Sequence, residues 1–414
     1  MSLRASVLCL LGLLLSAGAV PAQPPDSAAV RAAFDSTVAA NTYTATLENG
    51  DVTGLGADWL VARGRESAHF LLSERHGTAG IPTVAATLYE RLAAHGYGPV
   101  ALEIGPFAAE ATNEALRRGG YPALEALLTR YEGPVIPFLN WREESQMAAR
   151  MAEAGATIWG VDYEFVFSLP MHLDALAEQA ATDRERAAVQ TARQQMTDEW
   201  GGAGAPALGA APPAALEALR AAFAPRGDDA ALARIDALLE SNAIYAPYVR
   251  KTGSFPASNR RRETLMKEQL IDYVRAWEAE QGAPPKVFHK NAHVGKLAPH
   301  DLHVMFGGFV AAWLRGRGAD SFHVLADCHG GRIPKTGQGG GGACTAMLGG
   351  EGSPLAEHLR DDAVTVIDLR PLRRHVGADF VSDELRRWIV SFDAYVALPD
   401  VQPSEPLNPL PRGE

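Results

Sequence analysis

The chain is 414 residues long, 47% hydrophobic and 21% charged, with a formal net charge of −11. These proportions are those of an ordinary globular protein. With no dense basic stripe to offset it, the negative balance excludes a nucleic-acid partner.

Residues 1–22 read as a secretory signal peptide, with Arg4 ahead of an apolar run over 7–15 and small residues ending at Ala22. That run is short for a membrane span. No later segment is long and apolar enough to cross a bilayer. The expectation is an exported protein, periplasmic or extracellular, with no stable membrane insertion after cleavage. Export leaves Cys328 and Cys344, a candidate disulfide in an oxidising compartment.

In chain order, 26–38 reads as a helix and 41–58 as polar turns. Phe70-Leu71-Leu72 reads as a buried strand that ends in Ser73-Glu74-Arg75-His76-Gly77-Thr78. A helix over 81–94 follows, with Val84, Leu88 and Leu92 at helical spacing. Residues 99–105 form a second expected strand, closing on Glu103, before a helix over 107–118. A third strand is expected over 135–139, then a helix from Arg142 through Ala154. A fourth, over 157–161, runs into Asp162-Tyr163-Glu164. This alternation predicts an α/β fold with a mostly parallel central sheet flanked by helices.

The rhythm breaks over 169–255, which reads as a helical insertion or cap, with helices over 174–195, 214–223 and 229–239 and a loose loop over 200–213. It returns with a long helix over 261–280 and a strand from Lys286 into His289-Lys290-Asn291-Ala292-His293. A helix over 303–314 and a strand over 322–326 ending at Asp327-Cys328-His329 come next. Residues 329–353 contain ten glycines among 25 residues and read as a flexible surface loop. Late strands are expected over 364–369 and 394–398. The expected division is a signal peptide 1–22, an N-terminal extension 23–65, the α/β core in two parts over 66–168 and 256–400 around the insertion 169–255, and a tail 401–414.

No G-x-S-x-G elbow, H-E-x-x-H helix or C-x-x-C pair occurs, and the glycine run lacks the G-K-[ST] ending of a phosphate loop. What remains is a set of polar groups at strand ends: Glu74 and His76, Glu103, Asp162 and Glu164, His289, Asn291 and His293, Asp327 and His329. A parallel sheet collects such ends along one edge. Two schemes fit. In one, His76 deprotonates water while a carboxylate stabilises its imidazolium. In the other, Glu74, His76, His293 and Glu103 hold a divalent metal with an open position. Arg75, Arg262, Lys290 and Lys296 add positive charge for a substrate carboxylate or an oxyanion. Trp141 and Tyr163 are candidates for pocket walls, and His300 and His303 for surface or helix-end positions.

The ordered blocks SERHGT, PVALEIG, WGVDYE, RRETLMKEQL, KNAHVGK and FDAYVALP resemble the erythromycin esterase family. They also resemble the wider group of exported proteins with a G-E-x-H-G type turn, some of which bind haem or act as metal-dependent proteases. The first resemblance implies an α/β core with helical additions. It implies hydrolysis of an ester or related acyl bond in a small-molecule substrate, by histidine-activated water and without a covalent intermediate or a required cofactor. By position His76 matches the general base and Glu74 its neighbour. Glu103, Arg262 and His293 match further site residues, and Asp162, Glu164, His289, Lys290 and Asn291 lie in supporting positions. Three departures stand out. Lys290 occupies the first position of an H-N-x-H turn, the Glu74–His76 spacing is one residue short, and Ser73 replaces a glycine. The wider resemblance implies a non-catalytic protein binding haem, a metal or a small ligand, or a metal-dependent hydrolase.

Overall fold

The computed structural model describes residues 27–202, 204–253, 255–297, 305–335, 338–350 and 352–408. The signal-peptide residues and His300 and His303 lie outside them. α1 (Ser27–Ala40) leads to the hairpin β1 (Thr42–Glu48) and β2 (Asp51–Thr53), then α2 (Leu55–Arg65). Next come β3 (His69–Glu74), α3 (Gly80–Ala93), β4 (Tyr97–Leu102), α4 (Pro106–Thr129), α5 (Arg142–Glu153) and β5 (Thr157–Gly160). The insertion holds α6 (Leu169–Gln179), α7 (Asp183–Asp198), α8 (Ala207–Ala210), α9 (Pro213–Phe223) and α10 (Asp229–Val249). The core resumes with α11 (Phe255–Gln281), β6 (Lys286–Lys290), α12 (Phe306–Gly316), β7 (Ser321–Lys335), β8 (Gln338–Ala343), β9 (Val364–Asp368), α13 (Asp383–Ser391) and β10 (Ala394–Val401).

One sheet runs in the order β2-β1-β9-β10-β7-β3-β6-β4-β5, with β8 pairing only β7. The strands from β10 to β5 along this order are parallel, and β9, β1, β2 and β8 join antiparallel. The α/β fold with a mostly parallel, helix-flanked sheet is the observed one. Strand side chains alternate between its faces. Phe70, Leu72 and Phe288 pack with α2 to α5, whereas Leu71 and Val287 pack with α1, α11, α12 and α13. Phe70, Leu71 and Leu72 are wholly buried, each stabilising the fold by about 1.5–3 kcal/mol. A separate apolar cluster holds α6 to α10 together.

Four expectations are corrected. Residues 41–58, read as turns, form the β1–β2 hairpin and the start of α2, so the N-terminal extension joins the main sheet. Residues 135–139 are not a strand. Phe138 has a left-handed φ of 60°, Pro137 has no amide hydrogen to donate, and both sides of β4 are already taken by β6 and β5. The helix expected over 174–195 is two helices, because Thr182 and Glu185 form a capping box that starts α7 afresh. The glycine-rich loop contains the β7–β8 hairpin, with Arg332 opposite Ala343. Glycine lacks the side-chain alternation that announces a strand. Cys328, in β7, is bonded to Cys344 just beyond β8, with Cα atoms 6.2 Å apart.

Candidate active site

The carboxyl ends of the parallel strands bring charged side chains to one edge. β3 ends at Glu74 and β6 at Lys290, neighbours along the pairing of Leu72 with Lys290. Glu103 follows β4 directly, and Asp162 lies two residues beyond the end of β5. After Glu74 the chain turns through Arg75, His76 and Gly77. Gly77 has φ 82°, and a Cβ there would lie 2.5 Å from Pro334 of the β7–β8 hairpin. Beyond β10, residues 402–407 cross this turn. Gln402 O accepts from Ala79 N and Gly77 O from Ser404 N, at 2.9 and 2.8 Å, while Leu407 N donates to Asn140 O at 2.7 Å.

Two charged groups meet at His76. In the first, Lys290 Nζ donates to Glu74 Oε2 at 2.5 Å and to both oxygens of Glu144 at 2.8 Å. All three side chains are at most 2% exposed. The other Glu74 oxygen, Oε1, lies 3.2 Å from His76 Nδ1. That is ion-pair distance, though outside hydrogen-bond geometry. In the second group, the Arg262 guanidinium on α11 binds Glu103 Oε1 at 2.5 Å and both oxygens of Asp162. It also lies 4.8 Å over the Tyr163 ring. Ala292 N donates to Glu103 Oε2 at 2.8 Å. His293 Nδ1 meets Glu263 Oε1 at 2.6 Å, and its Nε2 lies 3.5 Å from Glu103. Glu103 links the groups, because His76 Nε2 stands 3.9 Å from its Oε2. Asn291 orients His293 by accepting its amide hydrogen at 2.7 Å, and keeps a buried Nδ2 donor without a hydrogen-bond partner among the described residues.

Phe138 stacks on His76 with centroids 4.3 Å apart and planes at 22°. The other side of the imidazole is open enough that the side chain is 33% exposed.

Burial opposes every charge here, and the partners decide the outcome. Burial pushes the Glu74 carboxyl up, but Lys290 and His76 outweigh it and bring it down to about 2. Glu144 goes the other way, up to about 7, because burial and the charge of Glu74 exceed what Lys290 returns. Burial lowers His76, yet Glu74 and then Glu103 hold it above its ordinary value. Burial and Arg262 lower His293, whereas Glu103 and Glu263 raise it to about 9. Glu103 is held well below the usual carboxylate range against its burial, chiefly by Arg262 and His293. The edge therefore holds a cationic His293 at neutral pH and an imidazole, His76, that two carboxylates hold above its ordinary value.

Several residues expected here lie elsewhere. His289 and Lys290 are consecutive in β6, so they face opposite sides of the sheet. His289 Nε2 meets His69 Nδ1 at 2.8 Å, in the layer of α12. Glu164 accepts from Phe107 N at 2.8 Å at the start of α4 and pairs with His172. Lys296 is bound to Asp393. Arg75 points at Asp327, 2.6 Å away, and to Thr345 O, and His329 pairs with Asp361. Glu74, His76 and His293 do not gather as a ligand set. Among the described residues the one group with three ligating atoms within 4.8 Å of one another is Asp327, Cys328 and Cys344, whose sulfurs are already joined. A cavity of about 610 Å³ lies apart from this edge, between α4, α5 and β5, lined by Asn113, Leu116, Trp159 and Tyr273 among others.

Glu144, Glu263 and Phe138 were not legible as site residues. Glu263 had a signal, its place beside Arg262 on one helix. Glu144 resembles any carboxylate in a first helical turn, and Phe138 any apolar residue of a strand.

No protein-family model and no curated protein matches this chain. Among solved structures it is similar to a mutant of the erythromycin esterase EreC in its open conformation. The TM-score is 0.61 at 14% identity, over 88% of this chain and 99% of the other. It is similar to a succinoglycan biosynthesis protein, with TM-score 0.58 at 14% identity over 91% and 99% of the two chains. It is also similar to a Bacillus cereus protein, with TM-score 0.55 at 12% identity over 92% and 100%. At these identities the likeness is one of fold.

Proposed function

We propose that this protein hydrolyses an ester or related acyl bond of a small molecule, with His76 activating the attacking water. The observation that supports the reading is His76 itself. It is a partly exposed imidazole with one nitrogen facing Glu74 and the other facing Glu103, on the strand-end edge where Arg262 and His293 gather. Neutral His76 accepts a proton from water as the oxygen attacks the acyl carbon, and Glu74 and Glu103 stabilise the imidazolium that forms. The positive charge of His293 and Arg262 faces the developing oxyanion. His76 then returns the proton to the departing alkoxide, giving acid and alcohol. The positive charge between Glu74 and Glu144 comes from Lys290, so the scheme calls for no metal. Export to the periplasm or beyond is part of the proposal and rests on residues 1–22. A panel of esters tests the chemistry, comparing the wild type with His76→Ala, with and without chelator. Hydrolysis that survives His76→Ala unchanged on every substrate rejects the assignment, and loss of activity on chelation rejects the metal-free scheme.

A further inference from the structure

We propose that Lys290 is a positioning residue, an internal cation held between Glu74 and Glu144 that turns Glu74 Oε1 toward His76. The proposal rests on the reading of His76 as the working base and gives a role to the position where the chain departs from the H-N-x-H pattern.

The geometry carries it. An ammonium group has three hydrogens, and Lys290 Nζ has three carboxylate oxygens within 2.8 Å. One is Glu74 Oε2, which leaves Oε1 as the oxygen nearest His76 Nδ1, at 3.2 Å. The other two belong to Glu144, so the ammonium also ties α5 to the ends of β3 and β6. Two buried carboxylates that share a space repel each other unless a cation stands between them. Lys290 is that cation, attached to the rigid end of a central strand. Without it Glu74 swings toward Glu144 to share a proton and leaves His76. Lys290 also works against protonation of the neighbouring imidazole, keeping the base available at lower pH than Glu74 and Glu103 alone would allow.

The test uses the full chain with two variants. Lys290→Ala removes three methylenes and the ammonium, the size of n-propylammonium. Lys290→Met with Glu144→Gln removes one charge of each sign and spares the fold an unmatched buried carboxylate. The first readout is the His76 titration followed by NMR, which does not depend on any substrate. In Lys290→Ala the His76 midpoint falls by about one pH unit, because Glu74 turns to Glu144 and leaves it; in the charge-balanced variant, where no second carboxylate draws Glu74 away, it rises by about as much. n-Propylammonium returns it to the wild-type value in Lys290→Ala, and tetramethylammonium, which has no hydrogen to donate, does not. The second readout is hydrolysis on any ester the wild type cleaves, where kcat falls about 100-fold with KM little changed. An unshifted His76 midpoint in the charge-balanced variant, with wild-type folding, overturns the proposal. A wild type that cleaves no ester, but shows the shift and its rescue, overturns the hydrolase reading and leaves Lys290 as the group that sets His76.

Discussion

Removing the charge of Glu263 should flatten the alkaline loss of stability. His293 titrates at about 9 in the folded protein against an ordinary 6.5. Its side chain is 15% exposed, between Glu263 Oε1 at 2.6 Å and Glu103 Oε1 at 3.5 Å. A raised pKa on a base means that the folded state binds the proton more tightly. The resulting stabilisation is complete below 6.5, where both states are protonated. It declines as pH rises and is gone above about 9. At about 1.4 kcal/mol per pH unit the span corresponds to about 3 kcal/mol. Glu263→Gln keeps the shape and removes one of the two carboxylates. An opposite charge in contact shifts a pKa by about one unit or more, so the variant loses at least about 1 kcal/mol of that span. Urea unfolding of both proteins, at several pH values from 6 to 10, reads this directly. Groups common to both, including His76, cancel in the difference. Stability curves that stay parallel from pH 6.5 to 9 would refute the coupling of His293 to Glu263.

Arg262→Met leaves Glu103 and Asp162 buried without their cation, and urea unfolding should register a loss of about 3–5 kcal/mol. A loss below about 1 kcal/mol contradicts the network. Hydrolysis that depends on neutral His76 should rise with pH to a midpoint above 6.5. In Glu103→Gln that midpoint should fall, since one of the carboxylates that stabilise the imidazolium is gone, and a pH–rate profile that does not move excludes His76 as the base. Reduction of the Cys328–Cys344 bond, which closes a loop of sequence separation 16, should cost about 3 kcal/mol. Unfolding of a Cys328→Ser, Cys344→Ser protein should be indifferent to reductant.

The positions of Glu74, Glu103 and Asp162 were legible because each follows an apolar strand, and a parallel sheet carries every such end to one edge. Their partners were not. Glu144 and Lys290 are 146 positions apart in the chain and meet only because α5, packed against α3 and α4, brings its first turn to Lys290. Phe138 covers His76 because its backbone is left-handed where the residue pattern suggested a strand.

The sequence by itself determined the α/β architecture and the strand-end edge where polar groups collect. Both follow from local periodicity and from where apolar runs stop. The tertiary structure alone decided which face each histidine takes. His289 and Lys290 read as equal candidates in sequence, but one step along β6 reverses the side-chain direction. That step sends His289 to His69 beneath α12 and Lys290 to Glu74 and Glu144. A strand's register, fixed by the packing of both faces, makes a residue part of the site or part of the core, and no local pattern records it.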